Sequence, residues 1–258
     1  MQVLAIGDVV GSAGCGFIRR HLPHFKKLKG IDIVIANGEN SADGNGILPA
    51  SAAHLMESGV DVITTGNHVL RRKEIYDELD SNSFLLRPAN YPAEVPGKGI
   101  CIVDKGRYRL AVMNIMGTVF MENLACPFET ADRLLALAKE EGAKYTVVDF
   151  HAEATAEKRA VGFYLDGRVS VLFGTHTHVA TADAQVLPWG TGYITDIGMT
   201  GPADSVLGVK PELAIHKMRT KMPVRFDYED APVQMDGCIF TVDSASGKTV
   251  GAERVSIK

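Results

Sequence analysis

Cysteine is scarce and scattered: Cys15, Cys101, Cys126 and Cys238 are the four in the chain, and no two stand in C-x-x-C spacing. That argues against a disulfide frame and a cysteine-built structural zinc site, and reduced thiols in a cytoplasmic protein are the expectation. Basic runs are also missing and the net charge is −4. A patch for long nucleic acid is therefore not expected. No apolar stretch approaches the roughly 20 residues of a membrane span, so no membrane partner is expected. Met1 to Ile6 runs straight into a strand pattern without a charged leader, so no signal peptide is expected. There is no internal repeat, low-complexity tract or linker, and residues 1–258 read as one domain. The glycines between Gly7 and Gly14 do not form G-x-G-x-x-G, and Asp8 interrupts them, which argues against a dinucleotide fingerprint.

What is present is an ordinary globular composition, 46% hydrophobic and 22% charged, with a core large enough to need no staples. Short apolar runs alternate with helical patterns. Strands are expected at 3–6, 31–36, 60–64, 145–150 and 169–173, with helices at 15–28, 49–58, 73–79, 130–141 and 156–163. Pro23 is a kink or break in the first helix. Residues 99–103 and 109–115 read as a hairpin about Lys105-Gly106, 184–187 and 192–195 as strands, and 224–257 as antiparallel strands turning at Ser246-Gly247. Alternation of this kind predicts an α/β chain with a parallel or mixed sheet.

In such sheets function gathers at the carboxyl ends of strands. Here those ends carry Asp8, Glu39 with Asn40, Asn67 with His68, His151, and finally His176 and His178. Any one of these is explained by a turn, a cap or a solvated surface. All of them together are not. If the backbone stays extended through Gly174-Thr175-His176-Thr177-His178, alternation puts both imidazoles on one side. The set mixes carboxylate and amide oxygens with imidazole nitrogens, which suits Mn²⁺, Fe²⁺ or Zn²⁺ better than Ca²⁺ or Mg²⁺. There are too many donors for one tetrahedral ion. Two divalent ions about 3.5–4 Å apart, bridged by a carboxylate and a hydroxide, would use them all. Asp149 and Glu153 are candidates to orient His151, Thr175 and Thr177 to hydrogen-bond around the ligands, and residues 43–46 and 116–120 to line a substrate mouth.

The order Gly7-Asp8, an acid–amide pair, Gly66-Asn67-His68, a lone histidine and Gly174-Thr175-His176-Thr177-His178 resembles the binuclear calcineurin-like metallophosphoesterases. More closely, Ile6 to Gly11, Asn37 to Asn40, Asp149 to Thr155, Gly174 to Val179 and Tyr193 to Gly201 are similar to the bacterial YmdB family of 2′,3′-cyclic-nucleotide phosphodiesterases. Val10 stands where the wider superfamily has the histidine of Asp-x-His, and Glu39 where it has a bridging aspartate, as in that branch. The resemblance implies a four-layer α/β/β/α sandwich of two mixed sheets and phosphodiester hydrolysis by a metal-bridging hydroxide. It implies that Asp8, Glu39, Asn40 and His178 hold one ion, and that Glu39, Asn67, His151 and His176 hold the other. His68 is implied as the catalytic non-ligand facing the phosphate. The implied partner is a small phosphoester or cyclic nucleotide, and members of such families often assemble as homo-oligomers. A broader phosphomonoesterase or nuclease, and a regulatory metal-binding protein with little turnover, are the alternatives.

Overall fold

The computed structural model describes residues 1–42 and 45–258. The strands, in chain order, are β1 (Gln2–Ile6), β2 (Asp8–Val9), β3 (Ile33–Asn37), β4 (Val62–Thr64), β5 (Ile100–Asp104), β6 (Arg109–Met116) and β7 (Tyr145–His151). They continue with β8 (Val171–Thr175), β9 (Gln185–Val186), β10 (Gly192–Ile194), β11 (Met199–Pro202), β12 (Val233–Val242) and β13 (Thr249–Ile257). The helices are α1 (Gly11–Lys29), α2 (Pro49–Glu57), α3 (Tyr76–Ser81), α4 (Pro127–Glu140), α5 (Thr155–Leu165) and α6 (Pro211–Thr220).

Two mixed sheets result. One runs β2-β11-β12-β1-β3-β4, with β13 paired to β12, and the other runs β5-β6-β7-β8-β10-β9. The strand period of two assigns the layers. In β1 and β3, Val3, Ala5, Ile33 and Ile35 turn inward to meet Val112, Val147, Val171 and Phe173 of the other sheet. Their neighbours Leu4, Ile6, Val34 and Ala36 turn outward onto Phe17, Ile18 and Leu22 of α1. Across the molecule, Met113, Val148, Phe150 and Leu172 pack on Ala131 and Leu134 of α4 and Val161 of α5. The four-layer α/β/β/α sandwich is thus present. Strands buried on both faces explain why β1 and β3 read as near-continuous apolar runs.

Three differences from the sequence reading concern the sheet around Asp8 and the first helix. Helix α1 begins at Gly11 and not at Cys15. Gly14 is there because a Cβ would come 2.4 Å from the Thr200 carbonyl of β11. Pro23 lies inside the continuous helix α1. Met199–Pro202 forms β11, which pairs parallel with β2 and antiparallel with β12 and so ties the Asp8 backbone to the sheet.

Candidate metal centre

The parallel strands β1, β3 and β4 of one sheet and β7 and β8 of the other end at one place. Buried there are Asp8, Glu39, Asn40 and His151, each at most 3% exposed. His151 Nε2 stands 3.0 Å from Asn67 Oδ1, 3.1 Å from His176 Nδ1 and 3.3 Å from Glu39 Oε1. Four donor atoms from four strand ends therefore crowd one point. Glu39, His151 and His176 by themselves satisfy the spacing of a metal-ligand group. On the other side, His178 Nε2 lies 3.2 Å from Asn40 Nδ2 and 3.6 Å from Asp8 Oδ1. Asn40 Nδ2 also donates to Glu39 Oε1 at 3.2 Å. Glu39 stands between the two groups.

The surroundings set the direction in which His151 points. Its Nδ1 meets Thr175 Oγ1 at 2.9 Å, and that hydroxyl donates to Asp149 Oδ1 at 2.7 Å. Thr175 therefore accepts at Nδ1, and Nε2 is left to face the cluster. Thr64 Oγ1 and Asn37 Nδ2 donate to Asp149 Oδ2 at 2.5 and 3.2 Å. Asp149 thus orients His151 through Thr175 and not directly. Glu153 does not orient His151 either: its Oε2 sits 3.0 Å from His176 Nε2, near the surface.

Gly66 is the tightest point of the arrangement. A Cβ there would meet His151 Nε2 at 2.2 Å and Glu39 Oε2 at 2.5 Å. Only glycine lets the chain pass so close behind both side chains.

The two histidines of the last motif are not in a strand. β8 ends at Thr175, and His176 and His178 take φ of +100° and +63°. The physical cause is capture of the amides: the His176 N–H goes to Asp8 Oδ2 at 3.1 Å and the Thr177 N–H to Asp196 Oδ2 at 3.1 Å. Two carboxylates bend the chain out of the sheet, and the imidazoles diverge to opposite sides of Glu39.

Charge is unevenly balanced here. Burial raises the Glu39 carboxyl, but His151 and His68 outweigh burial and hold it at about 2. Burial lowers His151, but Glu39 and Asp8 bring it to about 9. Burial and the neighbouring His151 drive His176 down to about 3. Asp8 is raised well above the usual carboxylate range, first by burial and also by Glu39 and Asp196, against the pull of His151. Burial lifts Asp149 to about 6. With Glu39 ionised nearby, burial holds Asp8 toward its neutral form. Asp8 Oδ1, moreover, is buried without a hydrogen-bond partner among the described residues. An orphaned carboxyl oxygen, a buried acid held away from its charged form and converging oxygen and nitrogen donors all fit a bound divalent cation.

His68 is set apart from this cluster. Its backbone N–H donates to Glu39 Oε2 at 3.1 Å, and its Nδ1 donates to Asn40 Oδ1 at 2.8 Å. Its side chain is 30% exposed and lines a cavity of about 1360 Å³ that opens over Glu39, Asn40, His176 and His178. The cavity is also lined by Arg71, Arg72, Arg225, Phe226 and Tyr228, which the sequence reading passed over. No local pattern marks them, since 226 and 68 meet only through tertiary folding. Asn37 was passed over too, although it closes β3 within a motif already singled out. Of the expected mouth residues, Asn45 lines the cavity, and Asp43 and Gly44 lie outside the described residues. The 116–120 segment is held elsewhere: the Thr118 and Val119 amides donate to Glu157.

Comparison with known proteins places the whole chain among relatives. A model of the YmdB-like protein family matches residues 4–255. The chain is 45% identical over 257 residues to a 2′,3′-cyclic-nucleotide 2′-phosphodiesterase of Bacillus subtilis, covering 100% of this chain and 97% of that one. A Thermus thermophilus protein of known structure superposes with a TM-score of 0.93 at 40% identity, over 100% of this chain and 99% of that one. A phosphatase of Mycoplasma pneumoniae does so with a TM-score of 0.93 at 32% identity, over 100% and 93%.

Proposed function

The chain belongs to the YmdB-like protein family, and from that premise we propose that it is a metal-dependent phosphodiesterase acting on 2′,3′-cyclic nucleotides. The observation that supports this most is the convergence of donors from both sheets on Glu39, with His68 beside them but outside the cluster. Because both sheets contribute, residues 1–258 act as one catalytic unit.

Asp8, Glu39, Asn40 and His178 would hold one ion, and Glu39, Asn67, His151 and His176 a second. When bound, such ions polarise phosphoryl oxygens and lower the pKa of water, which makes a hydroxide nucleophile available near neutral pH. The chain's own residues do the rest. Asn40 accepts from His68 Nδ1, so Nε2 is the atom left to serve the substrate. Protonated, that nitrogen donates to the ribose oxygen that leaves phosphorus. Thr175 and Asp149 keep His151 in one tautomer. Arg71 and Arg225 offer guanidinium groups to the anionic substrate. Phe226, whose ring centroid lies 4.6 Å from Lys217 Nζ, presents an aromatic surface on which a nucleobase can stack.

The test is turnover by metal-stripped protein reloaded with Mn²⁺, Fe²⁺ or Zn²⁺, using 2′,3′-cyclic AMP, a phosphomonoester and a short RNA. Release of a mononucleotide from the cyclic diester, abolished by chelator, is the expected result. Turnover of the monoester or RNA alone would give a phosphatase or nuclease instead. No turnover of any phosphoester would leave a metal-binding regulator.

A further inference from the structure

Lys158 lies on α5 with no exposed surface, a rare place for an ammonium group. Its Nζ donates to Asp196 Oδ2 at 2.7 Å and to the Thr175 carbonyl at 2.8 Å. The Asp196 side chain is 1% exposed, and each of its oxygens also accepts a backbone N–H. Oδ2 takes Thr177 at 3.1 Å and Oδ1 takes Gly198 at 3.0 Å. One of those amides lies in the turn that carries two candidate ligands, and the other in a loop that holds the backbone of a third. Thr177 separates His176 from His178, and the Gly198 carbonyl accepts the Asp8 N–H at 3.1 Å. Gly174 leaves room for the arrangement, because a Cβ there would stand 1.8 Å from the Thr195 carbonyl and 3.0 Å from Lys158 Cδ.

Neither Lys158 nor Asp196 lines the cavity, and neither takes part in the chemistry set out above. Stability alone is a poor account of them. Desolvating two charges offsets most of their attraction, and an apolar pair of similar volume often serves as well or better. An apolar pair would, however, supply no acceptor for Thr177 or Gly198.

We propose that the buried Lys158–Asp196 pair is a positioning device for the metal centre, holding the His176–His178 turn and the Asp8 strand in one register. This rests on the reading of the site as a metal centre. Lys158 draws the end of β8 and the carboxylate to one point. One oxygen then fixes the turn at Thr177, and the other fixes Gly198 and through it Asp8. A single carboxylate thereby sets the spacing of ligands that lie 168 residues apart in sequence.

Two measurements test this. In the wild-type protein, hydrogen exchange at the Thr177 and Gly198 amides should be as slow as at Leu172 and Phe173 in β8; rapid exchange at both would overturn the proposal. The second compares Lys158→Met, Asp196→Asn and the double variant by thermal melting and by calorimetric titration of metal-stripped protein with Mn²⁺. Lys158→Met strands a buried carboxylate and should lower Tm by roughly 10 °C. The double variant has no lone buried charge and should recover most of that loss. Its Mn²⁺ affinity should nonetheless stay about 10–100-fold below wild type, as in Asp196→Asn. Recovery of affinity together with Tm would make the pair a purely structural one and sink the proposal alone. Failure of the wild type itself to bind Mn²⁺ would remove the metal-centre reading on which it rests.

Discussion

Glu39 Oε1 and His151 Nε2 lie 3.3 Å apart with at most 1% of either side chain exposed, and they come from different sheets. The contact exists only when the two sheets dock. Each residue shifts the other, Glu39 down and His151 up, and between them they define the centre.

Glu39→Ala should therefore cost more than any other single ligand change. It removes the carboxylate common to both donor groups and leaves His151 and His68 without their acid. Metal analysis of the purified variant should show less than one ion per chain, and turnover should fall on the order of 10³-fold. A fully loaded Glu39→Ala protein would contradict the shared position.

His68→Ala should separate chemistry from metal binding. The ring hydrogen-bonds to Asn40 but does not join the cluster around His151 Nε2. Metal content should match wild type while kcat falls roughly 10²–10⁴-fold. Equal rates in variant and wild type would exclude it as the proton donor.

Gly66→Ala tests geometry without removing a ligand. The new methyl would collide with His151 and Glu39 at once, so one of them must move. Loss of metal from a protein with a wild-type circular dichroism spectrum is the expected outcome.

Chelation should be visible as instability. Stripping the ions leaves Asp8 and Glu39 buried side by side with an orphaned oxygen. Titrating Mn²⁺ back to 100 times its Kd should add about 2.7 kcal/mol per site and raise Tm by roughly 5–10 °C. A melting curve indifferent to chelator would mean that the cluster holds no ion.

Phe226→Ala should alter recognition and spare the chemistry. The ring lines the cavity and is not one of the candidate ligands. KM for 2′,3′-cyclic AMP should rise about tenfold, while kinetics on glycerol 1,2-cyclic phosphate, which has no base, should be unchanged. A parallel loss on both substrates would assign Phe226 to folding.

The central parallel strands were legible because burial on both faces makes them apolar, and because turn residues mark their ends. β1, β3, β4, β7 and β8 carry Asp8, Glu39, Asn67, His151 and His176 at or just past their termini, so those residues could be named in advance. β11 was not legible: Gly201 and Pro202 argue against a strand, and Met199–Pro202 becomes one only because β2 and β12 flank it. The same holds for α6, whose one buried residue is Ala214, too few for a helical period to show. The extended turn expected at 176–178 failed because its hydrogen-bond acceptors, Asp8 and Asp196, are remote in sequence. The cavity rim has no local signature at all, since Arg71 and Phe226 share a wall only after folding.

The positive φ at His176 and His178 bears on how the protein can be changed. The φ of +63° at His178 lies in the left-handed region that histidine tolerates, but the φ of +100° at His176 lies outside it, and glycine alone takes such an angle without cost. His176→Gly should therefore relax the backbone of metal-free protein and at the same time remove a candidate ligand. Stability of the metal-free chain and activity pull in opposite directions at 176. Screens for a hardier enzyme should hold that residue fixed.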